Sequence, residues 1–131
     1  MRGHNLVWTQ PQHNAPFVDG DHDATKLKAY MDGYITKTVD TIGSYPIVWD
    51  VVNEVFSNSS NPDKVYNLSP YTIIGGAETK GKSWVCQAFK TARKANPGIK
   101  LFYNDDMIAS NVGKYKKKSD EAYELVKFLK E

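Results

Sequence analysis

The strongest constraint in this chain is an alternation of two hydrophobic patterns. Short apolar runs alternate with longer stretches whose apolar residues recur every three or four positions. The first short run is Leu6-Val7-Trp8. From Asp21 to Gly43 the apolar positions are Leu27, Tyr30, Met31, Tyr34, Ile35, Val39 and Ile42, one face of a helix. Asp21 or Asp23 is placed to cap its start, and Gly43 to end it. Ile47-Val48-Trp49-Asp50-Val51-Val52 then reads as a strand buried on both faces. Trp84, Val85, Ala88, Phe89 and Ala92 return to helical spacing and stop at Asn96-Pro97-Gly98. Ile99 to Tyr103 is a third strand. Ala122, Leu125, Val126 and Leu129 form the stripe of a last helix, with Ser119 its expected N-cap ahead of Asp120 and Glu121. Parallel strands cannot be joined by a tight turn and need a crossover, so this order implies βαβ units and a parallel sheet.

Composition closes off other classes. The chain has 131 residues, enough for one domain, with no linker or internal repeat. Hydrophobic residues make up 40% and charged residues 24%, which excludes collagen, a coiled coil and a low-complexity chain. No run reaches the roughly 20 apolar residues of a membrane helix, so no membrane partner is expected. Seventeen basic and 15 acidic residues leave +2, too little charge to expect a nucleic-acid partner. The basic run Lys114 to Lys118 is expected on a solvated approach to the last helix. Cys86 is the single cysteine, so neither an internal disulfide nor a cysteine metal site is expected. Ser57 to Gly81 reads as a long polar loop, with sequons at Asn58 and Asn67. The chain opens Met1-Arg2-Gly3-His4 without a charged region and an apolar stretch of about 7–15 residues, so no signal peptide is read in it. Both ends look cut from something longer.

In parallel α/β folds, functional groups gather at the carboxyl ends of the strands. The second strand ends Asn53-Glu54 and the third Asn104-Asp105-Asp106; the first carries His4 within it and Trp8 near its end. A carboxylate after a buried strand suits a general acid, because burial favours its protonated form. A neighbouring amide can bond a substrate hydroxyl. On spacing alone, Asn53 and Glu54 could equally cap the following helix.

The words around the pair are more specific. Arg2-Gly3-His4-Asn5-Leu6-Val7-Trp8 resembles a strand motif of glycoside hydrolase family 10, the endo-β-1,4-xylanases. Trp49-Asp50-Val51-Val52-Asn53-Glu54-Val55-Phe56 resembles that family's fourth barrel strand, and Leu101-Phe102-Tyr103-Asn104-Asp105 its fifth. Ala88 to Arg93 and Ala95-Asn96-Pro97 are similar to the helix between them. The motifs stand in the family's order over nearly the whole chain.

The resemblance implies a (β/α)8 barrel, which typically takes about 250 residues. Residues 1–131 would form a partial barrel of about three βα units, matching units three to five. It implies Glu54 as general acid/base, Asn53 as the amide that bonds the sugar 2-hydroxyl, and His4 and Trp8 as contacts of the same sugar. The family cleaves internal β-1,4-xylosidic bonds with retention, and needs no metal or cofactor. Its nucleophile is a glutamate on strand seven, which these residues do not reach, so the isolated chain is expected to be inactive. Xylan or a xylo-oligosaccharide is the implied substrate. A secreted protein, monomeric at full length, is the implied setting. The rival readings are a barrel hydrolase acting on another β-1,4-glucan and a non-catalytic sugar-binding half-barrel.

Two departures stand out. The family's tyrosine after the strand-five Asn-Asp is Asp106 here, and its histidine-serine-glutamine after the tryptophan stands as Thr9-Gln10-Pro11-Gln12. Asp105 is expected to be a structural acceptor and Asp106 a solvated charge. Trp49 is expected in the core, Asp50 as an acceptor within the barrel, and Cys86 as a small buried group. His13 and His22 carry no assignable role.

Overall fold

The structure, a computed structural model, describes residues 1–8, 10–14, 16–18, 20, 23–43, 45–46, 48–56, 69–75, 79 and 81–131. Its elements run β1 (Arg2–Trp8), α1 (Ala24–Ile42), β2 (Val48–Asn53), α2 (Ser83–Ala95), β3 (Lys100–Asn104) and α3 (Lys116–Lys130). The strands form one sheet in the order β1-β2-β3, with both pairs parallel. The alternation read from the sequence is therefore the alternation observed. Asp21, His22, Thr9 and the asparagines of both sequons lie outside the described residues, as does most of the Ser57–Gly81 loop.

Helix α1 starts where Asp23 accepts the Lys26 N–H at 2.7 Å. It ends at Gly43, whose φ of 65° suits glycine and whose N–H donates to the Val39 carbonyl at 2.9 Å. Of its predicted face, Leu27, Met31, Ile35 and Val39 are buried, while Tyr30 and Tyr34 are exposed. The buried stripe packs on β1 and α2. A polar clasp joins the two helices: Asp32 accepts from Gln87 Nε2 at 3.0 Å, Thr91 Oγ1 at 2.7 Å and Lys28 Nζ at 2.6 Å. Burial pushes the Asp32 carboxyl up, but these donors outweigh it and hold the group below the usual carboxylate range.

Strand β2 is central, and from Trp49 to Asn53 every residue is buried. Gly3 on β1 sits opposite Trp49, and a Cβ there would lie 2.3 Å from the indole ring. Glycine is required because the ring occupies the space a side chain would take. The core is one cluster, with Leu6 and Val7 from β1, Val51 and Val52 from β2, and Trp84, Val85, Ala88 and Ala92 from α2. Helix α3 adds Ala122 and Leu125, whereas Val126, expected on the same stripe, is exposed.

Two expectations about α3 are corrected. The helix starts at Lys116, so Ser119 lies inside it and is not the N-cap. A 3-10 turn at Gly113–Tyr115 runs directly into the helix and supplies its first turn. The early start turns Lys118 inward. It is 3% exposed, with Nζ 2.7 Å from Asp105 Oδ1 and 2.6 Å from Asp106 Oδ1. The basic run is therefore not solvated throughout: Lys116 and Lys117 are exposed, and Lys118 is a buried ion-pair partner. A buried ammonium is tolerated because two carboxylates face it.

Candidate active site

Trp8, Asn53 and Asn104 stand side by side across the carboxyl end of the sheet. Asn53 is 2% exposed, and its Oδ1 accepts from Asn104 Nδ2 at 2.6 Å. That bond commits the Asn53 amide oxygen to β3 as an acceptor, which leaves Nδ2 as the donor end of the group. The next residue, Glu54, leaves the strand with a φ of 53°, and its N–H donates to the Asn104 carbonyl at 2.9 Å. A left-handed glutamate is uncommon and strained, and such residues cluster at functional sites. Two donors meet the Glu54 carboxyl at one oxygen: Trp8 Nε1 lies 2.9 Å from Oε2 and Gln10 Nε2 lies 2.7 Å from it.

The chain just past Glu54 is pinned from β3. Asp105 accepts from the Phe56 N–H at 3.2 Å and, in a very short bond, from the Tyr103 hydroxyl. With the Lys118 ammonium also on it, Asp105 is the structural acceptor expected. Burial pushes its carboxyl up, and Lys118, Tyr103 and Phe56 offset that only in part. Asp106 is 44% exposed yet paired with Lys118, so it is more than a solvated charge.

His4 lies further down β1, opposite Asp50. Arg2 grips Asp50 with two bonds, Nε to Oδ2 at 2.9 Å and Nη2 to Oδ1 at 2.5 Å, while His4 Nδ1 lies 2.9 Å from Oδ2. Burial pushes Asp50 up, but its bonds to Arg2 and His4 outweigh that and hold it below the usual carboxylate range. The same pair raises the Arg2 guanidinium. An ionised Asp50 can only accept, so His4 Nδ1 carries a hydrogen and donates it. Asp50 thus fixes the orientation of the histidine and is an acceptor rather than a reacting group. Trp49 is buried, as expected of a core residue, and Cys86 is half-buried.

Sequence reasoning missed three parts of this arrangement. The His13 ring stacks on Trp8 with centroids 3.8 Å apart and planes at 14°. Gln10 reaches Glu54, and Arg2 reaches Asp50. For Arg2 a signal was present: it shares a face of β1 with His4 two residues on, and the register sets His4 opposite Asp50, within reach of the Arg2 side chain. Gln10 and His13 sit in irregular chain, where no periodicity announces a contact. Trp8, Asn53 and Glu54 come together at the carboxyl end of the sheet, with His4 beneath, its ring 6.2 Å from that of Trp8. Among the described residues, no group of three or more His, Cys, Asp or Glu side chains is placed to hold a metal ion. Among the same residues, no helix is long and apolar enough to cross a membrane.

A parallel βα chain with a carboxylate and an amide at a strand's carboxyl end has the architecture of part of a (β/α)8 barrel bearing a strand-end site. The family model described as Glycosyl hydrolase family 10 matches residues 1–131, and the chain belongs to that family. It is 38% identical over 105 residues to endo-1,4-beta-xylanase B of Neocallimastix patriciarum, covering 80% of this chain and 11% of that one. It is 33% identical over 131 residues to the beta-1,4-xylanase of Dictyoglomus thermophilum, covering 100% of this chain and 33% of that one. Among solved structures, a psychrophilic family 10 endo-beta-1,4-xylanase superposes with a TM-score of 0.78 at 30% identity, over 99% of this chain and 39% of that one. Xylanase 10B from Thermotoga petrophila, in complex with xylobiose, superposes with a TM-score of 0.75 at 27% identity, over 98% of this chain and 35% of that one. The chain therefore spans from about a tenth to about two fifths of the length of these proteins.

Proposed function

We propose that these residues carry the acid/base side of a retaining glycoside hydrolase that cleaves internal β-1,4-xylosidic bonds of xylan. Glu54 is the general acid/base. In the retaining reaction one carboxyl protonates the leaving oxygen while another attacks the anomeric carbon about 5–5.5 Å away. The first then accepts a proton from water and drives hydrolysis of the glycosyl-enzyme. Asn53 presents its Nδ2 to the sugar 2-hydroxyl. His4 and Trp8 form the wall of the same subsite, His4 held by Asp50 and Trp8 braced by His13. Xylan is a polymer outside cells, and a secreted protein follows from that substrate.

The observation that carries this reading is the convergence at the end of β2. Glu54 takes a strained backbone there, and its Oε2 receives the Trp8 and Gln10 donors. Family membership supports the reaction class. The attacking carboxylate belongs, by the family's pattern, to a strand outside these residues, so residues 1–131 alone are expected to give no turnover. The test is hydrolysis of xylan, cellulose and mannan by the full-length protein and by its Glu54→Gln variant. The expected result is release of reducing ends from xylan, falling by at least about a hundredfold in the variant. Preference for cellulose or mannan would move the substrate class. An unimpaired variant would remove Glu54 from the chemistry.

A further inference from the structure

Gln10 lies where the chain departs from its family's usual pattern after Trp8, and it makes a defined contact with the Glu54 carboxyl. The Trp8 indole N–H can only donate, so the oxygen it meets, Oε2, is an acceptor. Gln10 also meets Oε2, at 2.7 Å, and must therefore present its NH2 end there. Its other end is accounted for: Gln10 Oε1 accepts from Gln12 Nε2 at 2.6 Å. The two glutamines form a chain of amides with one direction, Gln12 to Gln10 to Glu54. Gln12 lies in the Pro11–His13 turn and Gln10 directly before it, and the turn is closed by the His13 N–H donating to the Gln10 carbonyl at 2.9 Å. The same turn supplies the ring that stacks on Trp8.

In a carboxylic acid one oxygen carries the hydrogen and the other is the acceptor. Two N–H donors on Oε2 make it the bare oxygen and direct the acid's hydrogen to Oε1. We propose that Gln10, oriented by Gln12, is a positioning residue that assigns the Glu54 proton to Oε1 and holds that oxygen toward the leaving group. This rests on the reading of Glu54 as the general acid. The role is distinct from subsite binding, because Gln10 acts through Glu54 and need not touch the sugar.

A positioning role for the acid predicts a dependence on the leaving group that general loosening does not. Phenyl β-xylobioside needs protonation of its leaving oxygen, and 2,4-dinitrophenyl β-xylobioside does not. In the full-length protein, kcat/KM reports the first bond cleavage for both. Gln10→Met keeps the side-chain length and removes the amide. Its loss on the phenyl substrate is expected to exceed its loss on the dinitrophenyl substrate by about tenfold, part of the factor a general acid supplies. Gln12→Met, at an exposed position, is expected to show a smaller loss in the same order. Glu54→Ala in parallel is expected to show the largest difference, at least about a hundredfold. Equal losses on both substrates in Gln10→Met, with the difference intact in Glu54→Ala, would overturn the role of Gln10 and leave Glu54 its own. Equal losses in Glu54→Ala would overturn the reading of Glu54 and this proposal with it.

Discussion

Single side chains decide two properties of this molecule. Asp50 is nearly inaccessible, and Arg2 and His4 supply its bonds. Its folded pKa is lowered, so its contribution to stability is complete above the unfolded value of about 4 and is lost as pH falls through the folded value. Asp32 acts in the same direction. Asp50→Asn is expected to cost about 2–3 kcal/mol at neutral pH and to flatten the acid limb of a plot of Tm against pH. An unchanged acid limb in that plot would contradict the assignment. Gly3 acts by absence: Gly3→Ala puts a methyl group into the Trp49 ring, and urea titration is expected to show a loss of about 1–3 kcal/mol. At this scale the placement of Glu54, Asn53, His4 and Trp8 on or just past the strands was legible, because they belong to strand motifs. Gln10 and His13 were not, because their contacts are made by a turn that doubles back on β1, and such return has no signature in spacing.

Among the elements, the strand-helix alternation was legible throughout, since β2 is buried on both faces and each helix has one buried stripe. The start of α3 was not. Ser119 followed by acids has the composition of an N-cap, yet the helix begins earlier, and Lys118 is drawn in by Asp105 and Asp106. That ion pair joins elements far apart in sequence, so nothing local to residues 113–121 signals it. It also ties α3 to the turn after Glu54, through Asp105 and the Phe56 N–H. Lys118→Met is expected to destabilise by about 3–5 kcal/mol, because Asp105 would be left buried without its cation. Asp23→Ala, which removes only the α1 cap, is expected to cost about 1 kcal/mol. Chemical denaturation of the two variants separates them, and an equal cost would show that the Lys118 pair does not hold α3.

As a whole, the described residues present two strand edges and several exposed apolar side chains. Strands β1 and β3 are the edges of the described sheet, and Phe102 on β3 is 42% exposed with the Arg2 guanidinium over its ring. Tyr34 on α1 and Val126 on α3 are exposed as well. Unpaired parallel edges and apolar patches favour association. Sedimentation of the isolated 131 residues is expected to show concentration-dependent self-association. A monomer with a sharp, reversible melt would contradict that expectation.

The central claim is that Glu54 protonates the leaving group and then serves as base, rather than attacking the sugar. The most direct test is the product formed by the full-length Glu54→Ala variant from 2,4-dinitrophenyl β-xylobioside in the presence of azide. If another carboxylate has formed the glycosyl-enzyme, azide replaces the water that Glu54 no longer activates. Turnover then rises with azide, and the product is a β-xylobiosyl azide. An α-configured azide would make Glu54 the nucleophile, and no effect of azide would take Glu54 out of the second step.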